Sequence, residues 1–516
     1  MESKFLFWGI IIFLLGSLGI GIWASYRVKG DSDNFLVAGR GLSLPLAAAT
    51  VMAQSVDSNS TLGNTDLTAE FGFWAGASLP LGLALCLFLT GLFYAKPLNR
   101  MGLTTLPDFY RVKYGRLTER IASVIMVLSF AFLLAGNLVA GGYLFQSFLG
   151  LSYNSGVIAI SLLIFAYTVS GGLFAVAYTD VVQVGIALVG SLALIGFVAF
   201  NFGLEIPAGM GPLDLEQLTD PASGAVINWA TLLALGIGDI VAIDFMARVF
   251  AADSPETAQR ACFIGSAGTV IIGIPFSIVA LSADSILDSV ATVPDGPVLF
   301  ALLQSVAPPL LSLLVVAAIM AASLSTGDGA MLGTASVIAH NIIGVQRGNR
   351  SEGGGDQLLN LTRAMSLVVA VLGIIFAIQV PQTGVLLLLA FDLGFAGLVV
   401  PLTGGLFWPK STRQGALACI ITGSATRLLF FVLMPTMFGA ENSLLYFPNP
   451  WLTAEFDGFP TLISPLVGLA FFIGVSYLTQ PPIAASVADE EPEVEQTVGL
   501  SSGNRLAPEN GQSSPS

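Results

Sequence analysis

The sequence predicts an all-α, polytopic membrane protein of about 13 transmembrane helices. Three observations predict it. Of 516 residues, 54% are hydrophobic and only 10% charged, whereas a soluble domain carries roughly a quarter charged residues to cover its surface. Apolar runs of about 20 residues, enough to cross a hydrocarbon core of roughly 30 Å, recur from end to end. Lys and Arg cluster at alternate ends of these runs, which marks the cytoplasmic ends of spans.

The spans are expected near residues 5–26, 43–72, 74–95, 117–149, 154–174, 176–203, 225–250, 256–282, 308–344, 357–379, 383–409, 413–437 and 459–479. The run 5–26 exceeds the roughly 7–15 residues of a signal-peptide core and precedes no small-residue cleavage site, so it reads as a span. With the N-terminus outside, Arg40, Arg111, Lys113, Arg116, Arg248, Arg260, Arg350 and Lys410 fall in the cytoplasm. Glu205, Asp214, Asp220, Asp295, Glu441 and Asp457 then fall outside. An odd number of spans puts the C-terminus inside, so the expected location is the cell membrane, crossed many times. Residues 1–42 form an extra span and loop, 43–409 a core, and 410–480 additional spans. Residues 481–516, rich in Pro, Ser, Gly and acid (Asp489, Glu490, Glu491, Glu493, Glu495), read as a disordered acidic cytoplasmic tail.

Composition also excludes. A net charge of −14 is no nucleic-acid footprint, which would be basic. Cys86, Cys262 and Cys419 are scattered through apolar runs, and His340 is the single histidine. No disulfide framework, zinc spacing or nucleophile–His–acid set results, so an enzyme is not expected. The partners are a lipid bilayer and a small-molecule solute.

Two stretches interrupt the smooth apolar pattern: Gln54 to Gly63, polar in mid-span, and Leu235 to Asp244, with two glycines and two acids. Polar backbone survives at membrane depth only where it lines a cavity or packs within protein. Each stretch opens a group of five spans, 43–203 and 225–409. Five is odd, so the two groups point in opposite directions, a 5+5 inverted repeat with its binding site near the midplane. This layout resembles the leucine-transporter-like fold.

Acids inside spans cost roughly 2.5–3.5 kcal/mol each on insertion scales and mark function by default. They are Asp57, Asp180, Asp239, Asp244, Asp328 and Asp392, against Arg427 as the one base read as deep. That imbalance predicts a cation-attracting interior. The plainer reading is that some of these acids cap broken helices or bond Ser and Thr on neighbouring spans. The segment Ala321 to Gly329 adds Ser323, Ser325 and Thr326 to Asp328 in one span. Hydroxyls there, with carbonyls freed by a broken helix, suit a sodium ion, while small residues also let helices pack closely.

Several segments, in order, resemble the sodium:solute symporter family. They are Phe35-Leu36-Val37-Ala38-Gly39-Arg40, Leu103 to Phe109 with Tyr114-Gly115, and Tyr167 to Val176 followed by Thr179-Asp180 and Gln183. Arg248 with Ala251-Ala252-Asp253, and Pro401 with Gly405-Leu406-Phe407-Trp408 and Gly415-Ala416, continue the series. The resemblance implies sodium as the coupling ion, with no other metal and no organic cofactor. Its site falls on the carbonyls of Ser55, Ser58 and Ala322 and the hydroxyls of Ser325 and Thr326. A second cation site would use Asp180 and Asp328, where Gly329 stands at a position that bears a hydroxyl in members with that site. The substrate site would be faced by Asp57, Asp239, Asp244 and Asp392. An acid-lined pocket without a paired Arg repels anions, so a cationic amine or neutral solute, moved by alternating access, is expected. The alternatives are a proton-coupled carrier of the same fold, and a channel or membrane sensor.

Overall fold

A computed structural model describes residues 2–290, 294, 296–349, 355–381, 383–442 and 445–480. Asp295, Arg350 and the acidic tail 481–516 lie outside them. The described residues are helical apart from connections and one two-residue hairpin, Thr436–Met437 with Ala440–Glu441. Among the described residues, nine helices are long and apolar enough to cross a membrane, and eleven spans result if each of two bent pairs is one span. The sequence reading has about 13, and two features account for the difference. Helix Tyr153–Asn201 runs 49 residues, about 74 Å at 1.5 Å per residue, enough for two crossings. Gly172 breaks it with φ 53° and ψ −142°, a conformation only glycine adopts without strain. The other is the run 43–72, which is two helices, Leu44–Ser55 and Asn64–Phe71, joined through a wide turn at Asn59–Gly63.

Helix starts follow local chemistry. Asp31, Ser152, Ser254, Asp356 and Thr412 each place a side-chain oxygen on a backbone N–H two or three residues ahead, satisfying a donor that the first helical turn leaves orphaned. Pro255 and Pro309 occupy first helical positions, where the missing N–H costs nothing.

The second interrupted stretch is also broken. Helix Ala225–Gly236 passes through a tight turn, Gly238–Val241, into Ile243–Ala251, with a 48° bend. The two broken spans meet at one end. Leu42 N–H donates to Ala251 O at 3.0 Å, and Asp253 N–H to Leu42 O at 3.1 Å. The start of one therefore lies beside the finish of the other, and they run in opposite directions. Gly238 permits a further close approach, since a Cβ there would stand 2.7 Å from Phe395 Cβ.

Candidate functional site

The first broken span frees two carbonyls. In a continuous helix the N–H groups of Asp57 and Ser58 would bond Ala53 and Gln54. Instead Asp57 N–H donates to Ser60 Oγ at 2.8 Å and Ser58 N–H to Asn137 Oδ1 at 3.4 Å. The freed carbonyls face the buried helix Pro309–Val337. Ala53 O accepts from Ser325 Oγ at 3.0 Å and Gln54 O from Thr326 Oγ1 at 3.3 Å. Ser325 Oγ is also 3.1 Å from Ala322 O, and the Gln54 amide donates to Ser325 O. Five oxygens thus converge from two spans: Ala53 O, Gln54 O, Ala322 O, Ser325 Oγ and Thr326 Oγ1.

Ala322, Ser325 and Thr326 therefore stand together. Ser55 and Ser58 stand elsewhere. Ser55 O accepts from Ser60 Oγ at 3.2 Å, and its hydroxyl bonds Thr269. Ser58 O accepts from Thr61 Oγ1 at 3.4 Å, and its hydroxyl bonds Asn137 at 2.8 Å and Ser323 at 2.9 Å. The carbonyls opposite the hydroxyls come from earlier in the span, because the helix opens ahead of Asp57. Asp57 itself closes the break: its Oδ1 accepts from Ser60 N–H at 2.9 Å and Ser60 Oγ at 3.0 Å, the helix-capping role of the plainer reading.

Arg248 corrects the charge count. The sequence reading puts it in the cytoplasm, but it is 1% exposed, the largest of the fully buried side chains. Its Nη2 lies 3.9 Å from both Asp180 Oδ2 and Asp328 Oδ1. Nε donates to Thr50 Oγ1 at 3.2 Å and Nη1 to Asp244 O at 3.0 Å. Tyr167 O–H donates to Asp328 Oδ2 at 2.7 Å, and Thr50 also donates to Asp180. A guanidinium thus lies between the two carboxylates assigned to a second cation. A side chain at Gly329 would meet the Gln54 amide first and, at 3.1 Å, Arg248 Nη1, so glutamine, with arginine beside it, fills the space a hydroxyl residue would need.

Asp239 sits on the turn of the second broken span, where its carbonyl accepts from Ala242 N–H at 2.9 Å and its carboxylate receives no hydrogen bond among the described residues. It lines a cavity of about 10 Å³ with Met126, Ser129, Phe130, Phe391 and Gly394, room for about one water. Asp57 and Asp244 lie within electrostatic reach of it. Asp244 accepts from the next N–H, Phe245, at 2.7 Å. Asp392 belongs to none of this: one of its oxygens is held by Arg427 and, at 3.1 Å, by Thr461 Oγ1.

Sequence reasoning missed the carbonyls of Ala53 and Gln54, and Asn137, Tyr167 and Arg248. Asn137 was open to view as an amide within an apolar run, and Tyr167 lay inside a family segment. Arg248 also lay in a family segment, but its burial was hidden, because an arginine at a span end ordinarily reaches water.

Comparisons with known proteins agree with the fold. The human high affinity choline transporter 1 is 27% identical over 462 residues, covering 83% of this chain and 78% of that protein. The high-affinity proline transporter of Bacillus subtilis (strain 168) is 26% identical over 427 residues, covering 80% and 89%. The structure of a Na+-coupled sialic acid symporter, solved substrate-bound and outward-open, superposes with a TM-score of 0.74 at 17% identity, covering 93% of this chain and 98% of that one. It shows the fold, which is leucine-transporter-like. The pattern of one family matches residues 35–423, a stretch that takes in both broken spans and the helix with Ser325 and Thr326. The chain belongs to the sodium:solute symporter family.

Proposed function

We propose that this sodium-coupled symporter moves a small cationic amine together with one sodium ion, by alternating access. The convergence of two freed carbonyls with Ser325 and Thr326 carries the ion half of this reading. Hard cations take several oxygens at roughly 2.3–2.6 Å, and oxygens about 3 Å apart surround such a point with modest adjustment. Asp180 and Asp328 are not assigned a second sodium, because Arg248 already supplies the positive charge between them. The solute half rests on Asp239, a buried acid among Met126, Phe130 and Phe391. Aromatic faces beside a carboxylate favour a weakly hydrated ammonium, and relatives named as choline transporters are in keeping with it. The small cavity means that the spans must separate to admit a solute, as alternating access requires. The charge pattern of the loops supports an N-terminus outside and a C-terminus in the cytoplasm.

Proton coupling is favoured by one observation: two buried carboxylates share a single guanidinium, so a neutral Asp328 would balance the charge. Uptake of a labelled cationic amine into vesicles separates the readings. With sodium replaced by potassium at fixed pH, uptake should fall to background. Ser325→Ala should raise the sodium concentration needed for half-maximal uptake at least tenfold, about 1.4 kcal/mol. Asp239→Asn should raise the KM for the amine more than the sodium requirement. Sodium-independent uptake driven by a pH gradient would overturn the ion assignment, and an unchanged KM in Asp239→Asn the solute assignment.

A further inference from the structure

A cavity of about 610 Å³ lies between the helices Arg116–Leu149, Gln357–Gln379, Thr383–Gly397 and Arg413–Leu433. Its size falls in the range of small-molecule sites, roughly 300–1,000 Å³. The walls are mostly apolar, with Phe132, Phe376, Leu389 and Phe431 among them, and the Phe132 and Phe376 rings pack at a 49° tilt with centroids 4.9 Å apart. At the rim Leu128, Ile375 and Leu428 are 40–48% exposed on three different spans, so the mouth opens toward lipid.

Besides the exposed Gln379, the cavity holds one buried polar feature. Asp392 and Arg427 line it as a buried ion pair. Arg427 and Thr461 both bond Asp392 Oδ2, while Oδ1 is buried with no hydrogen-bond partner among the described residues. An unpaired acceptor in hydrocarbon is costly, and buried polar atoms nearly always find a partner. The missing partner is a donor. Arg427 already neutralises the carboxylate, so a cation entering from lipid would give up its solvation for little return. An uncharged donor on an apolar body fits both halves of the site.

We propose that this cavity binds an uncharged amphiphile from the bilayer, its hydroxyl donating to Asp392 Oδ1 and its hydrocarbon lying against Phe132, Phe376 and Phe431. Occupancy bears on transport through one helix. Thr383–Gly397 presents Leu386, Leu389 and Asp392 to this cavity and Ala390, Phe391 and Gly394 to the Asp239 cavity. A bound amphiphile braces the wall that must move to admit solute. The binding claim stands independently, whereas the effect on transport rests on the solute site proposed above.

The test is the melting temperature of the full purified chain in detergent with increasing monoolein. The wild type should gain a few degrees with saturation. Methyl oleate, which lacks a hydroxyl donor, should give no such gain. Leu428→Trp, placed on the exposed rim, should abolish the monoolein response while keeping the wild-type stabilisation by sodium. Val432→Trp repeats the test from a second rim position should Leu428→Trp fold poorly. An unsaturable response, an equal response to methyl oleate, or an equal response in both rim variants would overturn the proposal. A saturable monoolein response in a protein that sodium fails to stabilise would support it while counting against the ion site.

Discussion

At the scale of single residues, Arg248 decides the most. An arginine buried this completely persists only with its charge met: Asp180 and Asp328 meet it from 3.9 Å, and Thr50 and the Asp244 carbonyl accept from Nε and Nη1, while Nη2 makes no hydrogen bond among the described residues. Removing one partner of a buried ion pair costs about 3–5 kcal/mol, because the other charge stays behind unpaired. Arg248→Met should therefore lower the melting temperature sharply, and adding Asp328→Asn should restore part of the loss, since one fewer carboxylate then lacks a counter-charge. Additive losses in the double variant would show that the residues do not act as a pair. The sequence revealed the acids but not this arginine. Six acids read as a cation-hungry interior, whereas the protein supplies two internal cations, Arg248 and Arg427, to three of them.

At the scale of elements, glycine and polar residues set where helices stop. Both broken spans were legible because polar and Gly-rich stretches are intolerable in a continuous lipid-facing helix. The exact opening was not, because it depends on Asn137, from a third helix, taking the Ser58 N–H. Gly172 marks the other kind of break. Its φ lies where a side chain is strained, and a Cβ would stand 2.6 Å from Phe35 Cδ2. Gly172→Ala should destabilise by about 1–3 kcal/mol before any cost of displacing Phe35. Gly185→Ala on the same helix, where nothing lies within 4 Å of the added carbon, should be neutral or stabilising by up to about 1 kcal/mol. Equal melting temperatures for the two variants would show that the break imposes no such constraint.

At the scale of the whole molecule, contacts where the two broken spans meet tie the two groups of spans together. Arg40 donates to Gly102 O at 2.8 Å and Phe250 O at 3.3 Å, and Asn99 donates to Val249 O at 2.8 Å. Asp108 joins the loop helix Pro107–Tyr114 to the end of the Ser325 helix through His340 and Asn341, both at 3.1 Å. Burial raises the Asp108 carboxyl, but the hydrogen bond and charge of His340, with Arg111 at 3.0 Å, more than offset it and hold it below the usual carboxylate range. A lowered folded value means that this stabilisation is full above the ordinary pKa of about 3.9 and is lost as pH falls through the folded value. Asp108→Asn should thus cost about 1.5–3 kcal/mol at neutral pH. The gap to wild type should narrow between about pH 5 and pH 3, and a constant gap in melting temperature over that interval would refute the role. By itself the sequence determined that the chain is a helical membrane protein with two opposed groups of spans, and which helix carries the hydroxyls. Hydropathy, charge at span ends and polar interruptions are local quantities that each span displays alone. Tertiary structure decided which carbonyls face those hydroxyls, that Arg248 stands between two acids, and that Asp392 pairs with Arg427. Those are distances between spans far apart in sequence, set by packing angles and breaks that no single span encodes.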